Sequence, residues 1–244
     1  SIDYYGNYKA LQYGARHFNA PLSVSIEDTK DYVKIFALND LNENKAVKVT
    51  YQIFDFTFGI CFEEEKSVLV EKVKNALVFD IDMKNLKRLY NLRHTGICVK
   101  LFDENDSLLQ QKTVLFDKEK NLLLPKAKLK TRIEIKSDRL DITVKSDAFA
   151  RLVKVESDKS VLPFSDNFFD ILPNESKTIT IYKDENMSLQ ELAQSITVYS
   201  LSDIPMNKNK VDILFKKAKV YASPVNISNA IYHGKLAKDV KLYD

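Results

Sequence analysis

Apolar and polar residues alternate with a period of two along most of this 244-residue chain, and no other feature restricts its fold as much. In AVKVTYQIFD, Val47, Val49, Tyr51 and Ile53 fall on one face, with Lys48, Thr50 and Gln52 on the other. That is the pattern of a strand with one side in a core and one in water. The same period puts Val33, Ile35 and Ala37 on one face of YVKIFAL, Leu77, Phe79 and Ile81 on one face of ALVFDID, and Ile97, Val99 and Leu101 on one face of GICVKLF. A strand over Leu109 to Phe116 closes this set, and NDLNENK, DFTFG and DENDS supply turns between strands. Strands joined by short polar turns indicate an antiparallel sandwich rather than βαβ units.

A second set starts after Leu124-Pro125. Leu129, Ile133 and Ile135 alternate with charged residues, then Leu140, Ile142 and Val144 alternate with Asp141, Thr143 and Lys145. FARLVKVES, NFFDIL, KTITIY and SITVYS continue the series. Ser188, followed three residues later by Glu191, has capping-box spacing and predicts about one helical turn. DKEKNLLLPK reads as the connection between the two sandwiches.

The first 21 residues break the pattern. Tyr5, Tyr8, Leu11, Ala15 and Phe18 recur at steps of three and four, predicting a short amphipathic helix ended by Asn19 and Pro21. That face needs a partner and can meet water, fold back on the first sandwich or pair with another copy; the expectation is that residues 1–18 are poorly ordered or held by a neighbouring molecule.

Composition narrows the chemistry. With 45% hydrophobic and 29% charged residues the chain is globular rather than disordered, and no run of eighteen apolar residues predicts a membrane span. Only five glycines occur, which argues against Gly-rich phosphate loops and dinucleotide sites. The segment after Pro205 carries eight lysines and three aspartates. Without arginine, stacking aromatics or a nucleic-acid motif it reads as a solvated basic extension, and no nucleic-acid partner is expected. Cys61 and Cys98 fit no zinc or CxxC pattern and read as two buried free thiols. His17, His94 and His233 read as surface residues, none beside a recognisable nucleophile.

Several carboxylates invite a catalytic reading. Glu63, Glu64 and Glu65 are consecutive, and Asp80 and Asp82 are separated by one residue. Consecutive glutamates on an extended chain point to opposite faces, whereas a glycosidase needs two carboxylates converging across a sugar. Asp166, Asn167 and Asp170 suggest calcium, but Asx residues bonding their own backbone account for them more simply. No catalytic, cofactor or metal residue is therefore assigned. Tyr182 and Tyr199 would support a sugar-binding module if they shared one flat platform. The Asn-x-Ser sequons at Asn105, Asn174, Asn186 and Asn226 are what an Asn- and Ser-rich chain yields by chance.

SIDYYGNYKALQYGARHFNAPLSVS resembles the junction in glycoside hydrolase family 2 β-mannosidases where the last helix of the catalytic (β/α)8 barrel leads into the C-terminal β domains. FSDNFFDILPNESKTITI resembles the family's final immunoglobulin-like domain, with Asn174 where glycine is commoner, and KTVLFDKEKNLLLPKAKL resembles its inter-domain connection. The resemblance implies a barrel-helix remnant at 1–21, immunoglobulin-like β-sandwiches at 22–120 and 121–203, and a lysine-rich extension at 204–244. It also implies that the two catalytic glutamates of a retaining parent lie upstream. A chain opening on Ser1 without a methionine is then a processed or excised piece whose partner is the parent's barrel. A bacterial cytoplasmic parent is expected, with both thiols free.

Overall fold

The computed structural model describes residues 2–4, 6–160, 162–183 and 188–204. Tyr5, the sequons Asn186 and Asn226, His233 and the lysine-rich segment lie outside the described residues. Residues 1–203 form one compact unit. It opens with helix α1 (Ala10–Phe18) and continues through β1 (Leu22–Asp28), β2 (Tyr32–Asn39), β3 (Lys45–Asp55), β4 (Gly59–Val70), β5 (Lys74–Asp82), α2 (Met83–Leu89), β6 (Thr95–Phe102) and β7 (Leu108–Leu115). The sheet β1-β2-β5 faces the sheet β4-β3-β6-β7, and every pairing is antiparallel. The alternation that predicts these strands also builds their core. Val33, Ile35 and Ala37 on β2 meet Val47, Val49, Tyr51 and Ile53 on β3 and Ile97, Val99 and Leu101 on β6. Each such side chain contributes about 1.5–3 kcal/mol on leaving water.

Two local features depart from the simple alternation. Leu77, expected in the core, is 51% exposed, while Val78 and Phe79 are both buried. The cause is a bulge: Ile35 pairs with Phe79 but Phe36 pairs with Leu77, so Val78 is an extra residue that reverses which side chains face inward. Immediately afterwards the chain turns into α2, which the strand-like run ALVFDID conceals. Asp82 caps it, its carboxylate accepting from the Lys84 amide at 2.7 Å, and Met83 and Leu86, three residues apart, enter the core.

The second sandwich contains β8 (Leu129–Ile135), β9 (Arg139–Ser146), β10 (Ala150–Ser157), β11 (Phe169–Ile171), β12 (Ser176–Tyr182), α3 (Leu189–Ser195) and β13 (Ile196–Tyr199). Its sheets are β12-β9-β8 and β11-β10-β13. The predicted capping box forms in full: Ser188 Oγ accepts from the Glu191 amide while Glu191 accepts from the Ser188 amide. Leu189 and Leu192 of α3 are thereby set in the core. Asn174, with φ of 66°, adopts the left-handed turn conformation that glycine would otherwise supply.

A third core joins the sandwiches. Phe54 and Phe56 at the end of β3, Cys98 on β6, Leu122 from the connection, and Phe149 and Leu172 from the second sandwich are all buried together. The Phe149 ring lies 4.9 Å from Phe54 and 5.2 Å from Phe56, centroid to centroid. The Phe149 amide donates to the Phe56 carbonyl at 2.7 Å, so a backbone bond crosses between the domains. Gly96 admits the Phe54 ring, since a Cβ there would lie 2.8 Å from Phe54 Cζ. Thr50 and Gln52, expected in water, are buried on the same face of β3 as Phe54.

The cysteines and the helix also correct expectations. Both thiols are free, but only Cys98 is buried, where desolvation pushes its pKa up; Cys61 is exposed. Helix α1 begins at Ala10 and packs through Tyr13, whose ring approaches Phe168 at 6.0 Å. Leu11 and Phe18, on the expected face, are 65% and 58% exposed. Tyr13 is buried instead, and His17, four residues on and half exposed, is held by polar partners on both sandwiches, so α1 is fastened to its own chain rather than left loose or held by a neighbouring molecule.

Candidate functional site

Alongside the aromatic core, the junction opens into a cleft of about 820 Å³ between α1, β7 and the loops around β10 and β11. Its first wall depends on β7. Gln110 accepts from the Val24 amide at 2.8 Å, and Lys112 donates to the Val24 carbonyl, so two side chains replace a backbone ladder between β7 and β1. Burial pushes the Lys112 ammonium pKa down. Gln110 also donates to the His17 carbonyl at 2.6 Å, fastening α1 to the first sandwich.

The second wall carries two carboxylates with separate tasks. Asp166 accepts from the Asn167 amide at 2.8 Å, contacts His17 Nε2 at 3.0 Å and pairs with Lys177. Burial by itself would raise its pKa, but the His17 hydrogen bond and the Lys177 charge outweigh that and hold it at about 2. Asp170 binds Arg151 at 2.5 Å, accepts from Thr113 Oγ1 of the first sandwich, and accepts from the Leu152 amide at 2.9 Å. That last bond forms because a bulge in β10 turns Arg151 and Leu152 out of register between Ala150 and Val153. Lys100 on β6 and Glu175 form an ion pair that does cross between the sandwiches, at 2.9 Å, whereas Arg151 and Lys177 hold their carboxylates from within the second sandwich. Leu152 and Phe168, both with positive φ, line the cleft where these bonds converge.

These contacts allocate the residues singled out by sequence. Asp166 and Asn167 each accept from the amide that follows, at 2.8 and 3.0 Å, as Asx residues holding their own backbone do; Asn167 also bonds the Val155 amide and carbonyl across to β10, and Asp166 and Asp170 serve different cations. Among the described residues, no three His, Cys, Asp or Glu side chains gather as metal ligands. On β4, Glu63 meets Gln52 while Glu64 faces the Tyr51 hydroxyl at 3.2 Å, so neighbouring glutamates point to opposite faces. Asp80 lies 3.9 Å from Lys34, and Asp82 is occupied as a helix cap. His94 is buried near the Phe56 ring rather than on the surface. Tyr182 and Tyr199 stand on different sheets, so they share no platform. Asn105 and Asn174 occupy exposed turns. Arg151, Thr113, Gln110, Lys177 and Glu175 were not singled out, because each looks like an ordinary polar residue within its own strand or turn.

The network can fix geometry, but its chemistry does not suit proton transfer near neutrality: a carboxylate held at about 2 is fully ionised and already bound to cations. Comparison with known proteins agrees with a domain of this kind. Residues 31–121 match the Mannosidase Ig/CBM-like domain family, and residues 124–204 match the Ig-fold domain family of mannosidases. The β-mannosidase of Bos taurus is 28% identical over 210 residues, 83% of this chain and 24% of the relative. That of Rattus norvegicus is 26% identical over 213 residues, 84% of this chain and 24% of the relative. The crystal structure of a β-D-mannosidase from Dictyoglomus thermophilum superimposes with a TM-score of 0.71 at 22% identity, covering 82% of this chain and 24% of that one. An exo-chitosanase from Amycolatopsis orientalis gives 0.57 at 14% identity, covering 82% and 27%. The chain thus spans about a quarter of the length of the curated relatives it matches. The chain carries two mannosidase-type immunoglobulin-like domains in tandem, and over them it is similar to the C-terminal region of the β-mannosidases of glycoside hydrolase family 2.

Proposed function

We propose that this chain is the non-catalytic C-terminal part of a β-mannosidase-like glycoside hydrolase, a rigid two-domain brace for a catalytic barrel carried elsewhere in the parent. The observation that carries this reading is the doubly fastened junction. An aromatic core, the Lys100–Glu175 bridge and the Thr113–Asp170 hydrogen bond leave the two sandwiches little freedom to move apart, and Arg151 and Lys177 engage the carboxylates beside that seam from within the second sandwich. The parent, on this reading, removes terminal β-linked mannose by a retaining double displacement with two glutamates outside this chain. The outward face of α1, with Leu11 and Phe18, is the surface offered to the barrel. The exposed thiol of Cys61 suits a reducing compartment such as the bacterial cytoplasm.

The chain alone, incubated with a chromogenic β-mannoside, is expected to give no turnover above the buffer blank. Turnover that disappears when Glu63, Glu64 and Glu65 are replaced by glutamine would overturn the reading. A free-standing carbohydrate-binding module gains no support from the tyrosines, which lie on different sheets.

A further inference from the structure

The longest strand among the described residues is largely uncovered. Strand β4 has buried residues only at its ends, Gly59 and Val70, and it forms the outer edge of its sheet. The opposite edge, β7, is closed laterally by Gln110 and Lys112, whereas among the described residues no strand lies beyond β4. Natural proteins usually blunt long edges with proline, charged side chains, bulges or short length. Strand β4 contains no proline, but it carries Glu63, Glu64, Glu65 and Lys66 and a bulge at Cys61, so only a strand that matches those charges can add to it.

Its sequence is complementary to itself. Read as FEEEKSV from Phe62 to Val68, the strand is centred on Glu65. An antiparallel copy related by a two-fold axis through Glu65 sets Phe62 opposite Val68, Glu63 opposite Ser67, and Glu64 opposite Lys66. Shifting the axis by one residue toward the N-terminus sets Glu63 against Glu65. Shifting it by one toward the C-terminus sets Lys66 against Lys66. Only the central register of these three opposes unlike charges and apolar pairs on the face that continues the core. Phe62, Glu64 and Lys66 already share that face: Phe62 contacts the Tyr51 ring, and Lys66 lies 3.5 Å from Glu64 and over the Phe79 ring. Glu64 and Lys66 are about half exposed, at 41% and 51% of their side chains, so both can reach a partner strand.

We infer that β4 is a homodimerisation edge, at which a second copy of this chain adds its own β4 antiparallel about Glu65 and makes one continuous eight-stranded sheet. The contact is isologous, so it closes at two copies and does not propagate. Its apolar ends supply burial, and the Glu64–Lys66 pairs fix the register. The inference is independent of the proposed function.

The test is sedimentation velocity of the 244-residue chain over a concentration series. The expected result is a monomer–dimer equilibrium that Lys66→Glu weakens about tenfold or more, by setting like charges face to face. The double exchange Glu64→Lys with Lys66→Glu should restore it. In a Cys61→Ser background, Glu65→Cys should form an intermolecular disulfide under mild oxidation, because the two-fold brings that residue against itself within bridging distance. Ser67→Cys in the same background should not, since it faces Glu63. This covalent readout stands even if a charge variant folds poorly. A chain that stays monomeric throughout the series, or crosslinking of Ser67→Cys as rapid as that of Glu65→Cys, overturns the proposal. So does a dimer indifferent to Lys66→Glu and abolished by Leu11→Ser with Phe18→Ser, which assigns association to α1.

Discussion

The junction between the sandwiches has a dry half and a charged half, and they hold the domains by different physics. In the dry half, Phe54, Phe56, Phe149, Leu122 and Leu172 exclude water and contribute through area and packing, with little directional preference. In the charged half, Lys100–Glu175 and Thr113–Asp170 cross between the sandwiches and His17–Asp166 ties α1 to the second, while Arg151 and Lys177 hold those aspartates from their own side; the net contribution is reduced by desolvation. The dry half sets how strongly the domains adhere, and the charged half sets where they sit. Fixed distances between side chains determine relative orientation in a way that a greasy contact alone does not.

Removing one ring from the dry half gives the largest expected effect. Phe149→Ala should cost about 3–5 kcal/mol and separate one cooperative thermal transition into two, as calorimetry would register. If the single transition persists, the charged half carries adhesion as well. Asp170→Asn should cost about 2 kcal/mol, because Arg151 and Thr113 lose a charged partner. Its distinguishing sign is altered domain orientation in small-angle scattering while both sandwiches stay folded. Gly96→Ala should cost roughly 1–3 kcal/mol in urea denaturation, since its new methyl group displaces the Phe54 ring.

Acid provides a gentler probe of the charged half alone. Asp166 has its pKa lowered from an ordinary 3.8 to about 2, so its contribution is present in full above the ordinary value and fades as pH falls toward 2. The expected loss is about 1–2 kcal/mol, absent in Asp166→Asn, when unfolding is followed by circular dichroism across that window. The smallest effect belongs to the outward face of α1. Leu11→Ser with Phe18→Ser should change the chain's stability by about 0.5 kcal/mol or less, because neither side chain enters either half of the junction.

The two halves were also unequally legible in the sequence. The β2, β3, β6 and β9 cores follow from alternation, since each has one consistently inward face. The dry junction hides in the same pattern: Phe54, Phe56 and Cys98 occupy positions that a single sandwich would give to solvent, and only the second domain makes them core. One extra residue at Val78 was enough to misplace Leu77, because local periodicity does not reveal a bulge. The charged half carried still less signal. Asp166 and Asp170 stood out as Asx residues, but Arg151, Thr113 and Lys177 become partners only through contacts 11 to 57 residues apart in the chain. For α1, the spacing favoured Leu11 and Phe18, and long-range bonds to His17 selected the Tyr13 side instead.

The backbone bond from Phe149 to Phe56, with Leu122 wedged beside it, bears on how such proteins are assembled by recombination. A gene cut within the connection would separate two segments that look like interchangeable modules. Each would nevertheless leave with half of an aromatic plug and no lid for it. A foreign second domain could succeed only by bringing its own equivalents of Phe149 and Leu172 to the Gly96 pocket. The pair should therefore be inherited, grafted and engineered as a single cassette.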